Sequence, residues 1–124
     1  MNKFKNFVIG RIISVKYAAK GSWILITSEH SIMAQFIIAF AVSVLGFLFQ
    51  ITTQEWLFQI VAIALVIVAE SLNTAIEKIA DFIHPEYHKQ IGVIKDVSAG
   101  AAFFAAIFAV IIGLIIYVPK FLQI

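Results

Sequence analysis

Glu70, Asn73, Glu77 and Asp81 lie inside or at the edge of a hydrophobic segment that runs almost unbroken from Trp56 to Ile83. At 100° per residue, Asn73, Glu77 and Asp81 fall about −60°, −20° and +20° from Glu70, so one helical stripe carries all four. An ionised side chain near membrane depth costs at least ~2.5–3.5 kcal/mol, and such residues face protein or water and mark functional sites. A structural contact could be made by Asn or Ser, whereas neighbouring carboxylates repel unless a cation or a proton compensates. The stripe could bind a hard cation, act as a general base or hydrogen-bond across an oligomer interface. Mg²⁺ suits it, because that ion takes oxygen ligands and commonly needs only one or two carboxylates plus phosphate oxygens and water.

The elements that must position these groups are helices in a bilayer. The chain has 124 residues, of which 62% are hydrophobic, and its mean hydropathy is +1.01. These values belong to the membrane class, and a single domain over residues 1–124 is expected. A hydrocarbon core of ~30 Å takes about 20 apolar residues, and helical spans are expected at 32–49, 56–83 and 97–118. The fold class is therefore all-α, a polytopic membrane protein. A lone three-span protomer would leave part of the polar stripe against lipid, which predicts a homo-oligomer whose stripes meet between chains.

Residues 1–28 read as an amphipathic surface helix. Phe4, Phe7, Val8, Ile12, Val15 and Ala19 share an arc, Lys5, Lys16 and Lys20 lie away from it, and Gly21 marks a plausible break. A basic membrane anchor with no further role is the plain alternative. Lys3, Lys5, Arg11, Lys16 and Lys20 precede the first span, the Gln50–Glu55 turn has no Lys or Arg, and Lys89 and Lys95 precede the third span. The positive-inside rule puts the N-terminus and the second loop in the cytoplasm. Trp56 suits an interfacial anchor. Pro85 ends the second span after His84, leaving a loop 84–94 over the stripe. The third helix is then expected to open at Lys95-Asp96 and to end near Pro119.

Cysteine is absent, so thiolate chemistry and disulfides are excluded. Pro85 between His84 and His88 argues against a helical zinc site. Neither G-x-x-x-x-G-K-[ST] nor G-x-G-x-x-G occurs, and no nucleic-acid partner is expected. Lys95-Asp96 alone would read as a helix cap, yet beside Glu77 and Asp81 a cation and a helix N-terminus would suit a phosphate. Glu29, just before the first span, is ambiguous alone. An ion- or proton-coupled transporter subunit would place ionisable groups on several spans, and a non-catalytic assembly factor would leave residues 86–96 without a nucleotide to bind.

The run Glu70-Ser71-Leu72-Asn73-Thr74-Ala75-Ile76-Glu77, with Asp81, Pro85-Glu86-Tyr87-His88 and Lys95-Asp96-Val97-Ser98-Ala99-Gly100-Ala101, resembles the small bacterial membrane kinases of the diacylglycerol and undecaprenol kinase family. The similarity extends from Tyr17 to Lys120. The resemblance implies a homotrimer in the bacterial cytoplasmic membrane, with active sites formed between protomers. It also implies γ-phosphate transfer from MgATP to the hydroxyl of a lipid alcohol. Glu70 corresponds to the catalytic acid/base, with Asn73 orienting Glu70 or the γ-phosphate. Glu29 and Glu77 correspond to the pair that binds Mg²⁺ with ATP, while Tyr17, Glu86, Tyr87, His88, Lys95 and Asp96 correspond to nucleotide contacts. Asp81 supports the seam. Leu72-Asn73-Thr74, Ala99-Gly100-Ala101 and the Gly113 to Lys120 ending resemble the undecaprenol branch slightly more.

Overall fold

A computed structural model describes residues 2–124 as four helices: α1 Asn2–Ser28, α2 His30–Leu48, α3 Thr53–Ile83 and α4 Lys89–Phe121. Helices α2, α3 and α4 are each long and apolar enough to cross a membrane. Their outer faces carry bare aromatic rings, with Phe40 and Phe47 each 74% exposed and Phe103 65%. A water-soluble surface does not present apolar area on this scale, whereas a lipid-facing one must.

The expected break near Gly21 does not form, and α1 runs through it. Glycine costs helix stability but keeps its N–H, so one glycine need not interrupt a long helix as proline does. The chain breaks at Glu29 instead, whose extended backbone (φ −109°, ψ 114°) separates α1 from α2. Arg11, which falls on the apolar arc, stands 5.8 Å from the centre of the Phe7 ring, where the aromatic face receives its charge.

The α2–α3 turn is specified several times over. Ile51 N–H bonds the Gly46 carbonyl at 3.1 Å and Gln50 N–H bonds that of Phe47 at 3.3 Å, the paired bonds of a Schellman termination, with Gln50 in the left-handed region at φ 51°. Thr52 then opens α3 with a capping box: its hydroxyl accepts from Glu55 N–H at 3.1 Å, and Glu55 Oε1 accepts from Thr52 N–H at 2.9 Å. Trp56 packs into this turn. Its ring lies over Gly46, where a Cβ would stand 2.7 Å from the indole, and tilts against Phe47 at 4.9 Å between centroids.

Helices α3 and α4 form the most extensive pairing, antiparallel, with α2 against α3 and α1 touching α2. Lys120 Nζ meets Glu55 Oε2 at 2.7 Å. Four residues beyond Glu55, the Tyr117 hydroxyl donates to Gln59 Oε1 at 2.5 Å and lies 3.1 Å from the Val42 carbonyl, which also accepts Gln59 Nε2 at 3.3 Å. This knot joins α2, α3 and α4. At the other end Lys95 Nζ meets Asp81 Oδ1 at 2.5 Å. As α3 advances, α4 retreats residue for residue.

Two boundaries of the third span differ from expectation. α4 opens at Lys89, capped by the His88 ring, which accepts from Gln90 N–H at 3.1 Å, so the connecting loop is only 84–88. Lys95 and Asp96 lie in the second turn and cap nothing. α4 also passes through Pro119 to Phe121. A proline near the end forfeits one hydrogen bond, and the last turn is held by Lys120 on Glu55 and by Phe121 against Phe49 at 4.8 Å.

Tyr117→Phe is expected to lower unfolding stability by about 1–2 kcal/mol by leaving buried Gln59 short of a donor, read as the midpoint of denaturant unfolding in detergent. Gly46→Ala forces the indole to move and should cost about 1–3 kcal/mol in the same measurement.

Candidate functional site

The buried residues of α3 are Gln59, Ala62, Val66, Thr74 and Ala80, and those of α4 are Ser98, Ala102, Ala105, Ile116 and Tyr117. Apart from the adjacent Ile116 and Tyr117, the gaps are three or four residues or sums of these, the spacing of one helical face. Glu77 falls three residues from both Thr74 and Ala80, and Glu70 four from both Val66 and Thr74, so the seam follows the face that α3 turns to α4. Both carboxylates are half-buried. Small residues across the interface, Ala102 and Ala105 among them, let the backbones approach and leave room for acidic side chains.

Asn73 Nδ2 donates to Glu77 Oε1 at 3.3 Å. The motif asparagine is thus tied to Glu77 and not to Glu70, because the longer side chain at position 77 leans back over the preceding turn. Glu70 has no hydrogen bond or ion pair among the described residues, which leaves its carboxylate available to an incoming group. Asn73 Oδ1 is buried without a partner.

Glu29 gives α2 no side-chain cap and instead pairs with Lys78 Nζ at 3.1 Å. The junction between α1 and α2 is thereby fastened to α3 one residue beyond Glu77. Glu29, Glu77 and the orphaned Asn73 oxygen are hard oxygen donors of the kind Mg²⁺ takes, an ion that needs only one or two carboxylates and completes its octahedron with water and phosphate oxygens. No cluster of three acidic or imidazole groups occurs among the described residues, so the donor set is not that of a closed protein cage.

Beyond the seam, a hollow of about 250 Å³ is lined by His84, Glu86, Tyr87, His88, Gly92 and Lys95, among others. Four of the expected nucleotide-side residues therefore share one surface, with Tyr87 90% exposed. His84 Nδ1 is engaged with the Glu86 carbonyl at 2.8 Å, and the two histidine rings meet edge to face at 5.3 Å. Asp96 and Tyr17 are exposed and do not border this hollow. Asp81, expected as a seam residue, holds Lys95 at the mouth of the hollow. A larger cavity of about 330 Å³ between α2, α3 and α4 is lined by Val42, Gln59, Ala62, Val66, Gly113 and Tyr117 together with other chiefly apolar residues, and no seam carboxylate borders it.

Sequence reasoning did not single out Lys78, whose pairing with Glu29 depends on two segments distant in the chain, or Ser98, which it met only within the run from Lys95 to Ala101. Lys78 carried one signal: it is a cation immediately after a motif carboxylate.

Residues 16–117 match the family model described as prokaryotic diacylglycerol kinase. The chain is 34% identical over 117 residues to an undecaprenol kinase of Bacillus subtilis (strain 168), covering 94% of this chain and 89% of that protein. It is 42% identical over 60 residues to a diacylglycerol kinase of Synechocystis sp. (strain ATCC 27184 / PCC 6803 / Kazusa), covering 48% of this chain and 34% of that one. The chain belongs to the prokaryotic diacylglycerol kinase family and is a membrane lipid kinase.

Proposed function

We propose that this kinase transfers the γ-phosphate of MgATP to the hydroxyl of a lipid alcohol, at the cytoplasmic interface of the bacterial inner membrane. The observation that carries this reading is the free Glu70 carboxylate deeper in α3 than the Asn73–Glu77 pair, with the lysine-bearing hollow beyond. Glu77 lies about 10.5 Å further along the helix axis than Glu70. A lipid entering from the bilayer and a nucleotide entering from water can meet between them.

Glu70 accepts the proton of the lipid hydroxyl as its oxygen bonds to the γ-phosphorus and the bond to the β-phosphate bridging oxygen breaks, releasing ADP. Such transition states are loose, so positioning and charge neutralisation contribute more than base strength. Glu29 and Glu77 would hold Mg²⁺, whose charge would neutralise the phosphate oxygens. Lys95, Asp96, Glu86, Tyr87 and His88 receive the nucleotide, Tyr17 adds a contact from α1, and Asn73 sets the Glu77 carboxylate.

The positive-inside distribution of lysine and arginine supports a cytoplasmic N-terminus. With no residue of α1 buried in the protomer, the helix is free to lie amphipathically on the membrane surface. The half-buried seam supports a homotrimer in which neighbouring protomers cover what one chain leaves open. Undecaprenol is the favoured acceptor over diacylglycerol, on the motif resemblance and the long match to an undecaprenol kinase.

Phosphate transfer from labelled ATP to undecaprenol and to diacylglycerol in mixed micelles tests the reading: transfer to undecaprenol is expected, and transfer to neither would overturn it. Glu70→Gln should lower turnover by at least about 10²-fold, the low end of a general base's contribution, while sparing ATP binding. Retained turnover would remove Glu70 from its role. Glu77→Gln should raise the Mg²⁺ concentration needed for half-maximal rate, and an unshifted titration would count against ligation.

A further inference from the structure

Six serine and threonine hydroxyls in these helices have an obvious partner. Those of Ser14, Ser22, Thr27, Ser28, Ser43 and Ser71 each donate to the carbonyl four residues back. Ser98 does not. Its hydroxyl is buried without a hydrogen bond, and the residue is only 7% exposed. The small-residue explanation is insufficient, because alanine serves the same close approach at Ala102 and Ala105 with no orphaned polar atom. A buried hydroxyl left unpaired costs stability and calls for an explanation.

The register of α3 against α4 supplies one. Glu55 faces Lys120, Gln59 faces Tyr117 and Asp81 faces Lys95. The same progression sets Ser98 level with Glu77 and Lys78, on the buried face of α4. Glu77 offers one carboxylate oxygen to Asn73, leaving Oε2 without a hydrogen bond among the described residues. A donor without an acceptor and an acceptor without a donor therefore lie at the same level of adjoining helix faces, and Ser98 reaches a new direction by rotating about χ1 alone.

We propose that Ser98 is a positioning residue for Glu77: when the metal and nucleotide bind, its hydroxyl donates to the Glu77 carboxylate, so that Asn73 and Ser98 hold it from two sides. The proposal rests on the reading of Glu77 as a metal ligand. It also accounts for the unpaired hydroxyl, whose hydrogen bond is the one made in the complex. Ser98 touches no substrate and acts only through Glu77.

The test uses the full chain in detergent micelles, with Mn²⁺ and a non-hydrolysable ATP analogue as probe. Mn²⁺ binding is read by electron paramagnetic resonance, and thermal unfolding is measured in parallel for Ser98→Ala, Ser98→Thr and Glu77→Gln. Ser98→Ala is expected to weaken Mn²⁺ binding about tenfold, the effect of losing one charge-assisted hydrogen bond. Its unfolding temperature should stay the same or rise, since an unpaired hydroxyl has been removed, and Ser98→Thr should restore binding. Unchanged Mn²⁺ binding in Ser98→Ala, with binding weakened in Glu77→Gln, overturns the role of Ser98 alone. Unchanged binding in Glu77→Gln overturns the reading of Glu77 and this proposal with it. Weaker binding accompanied by a lower unfolding temperature, without rescue by threonine, assigns Ser98 to packing and also overturns it.

Discussion

The antiparallel register of α3 against α4 is the constraint on which the rest of the molecule depends. It is pinned at one end by Lys120 on Glu55 and Tyr117 on Gln59, and at the other by Lys95 on Asp81. Apolar surface alone would not hold it, because lipid tails solvate leucine as well as another helix does. Polar contacts are directional, so a slip of one turn would break all three and leave buried groups unpaired. The seam between these anchors inherits their precision.

The polar groups divide by depth along that hairpin. At the α2–α3 turn they are paired with one another and border a chiefly apolar cavity, which makes that end a fastening. Toward the α3–α4 loop they are incompletely paired among the described residues: Glu70 has no hydrogen bond or ion pair, Asn73 has an orphaned oxygen and Ser98 an orphaned hydroxyl. A folded chain retains unsatisfied buried groups chiefly where binding will satisfy them. The stable end thus supports an end organised for chemistry. The ion pairs Glu29–Lys78 and Asp81–Lys95 belong to this second end, and both draw a group of the proposed nucleotide site to a fixed place on α3.

Much of this was legible in the chain. The long apolar runs reveal three spans because a bilayer demands them, and Pro85 marks the end of α3 because proline has no N–H. The stripe of Glu70, Asn73, Glu77 and Asp81 follows from helical periodicity, and the motif around it identifies the family. Boundaries were less legible. Gly21 resembles a breaker but lies within an intact helix, and Lys95-Asp96 resembles a cap although His88, seven residues before Lys95, performs that task through its ring. Local propensity cannot decide such cases, because the competing hydrogen bonds differ little in energy.

Spacing and composition along single helices suffice for the membrane class, the acidic stripe and the lipid kinase family. The partner that each polar group takes emerges when the helices pack: Glu29 with Lys78, Asp81 with Lys95, Gln59 with Tyr117, Asn73 with Glu77 in preference to Glu70, and Ser98 with none among the described residues. Except for the asparagine, these choices join segments distant in the chain. They are fixed by how two helices face and slide against one another, a degree of freedom that no single-helix pattern encodes.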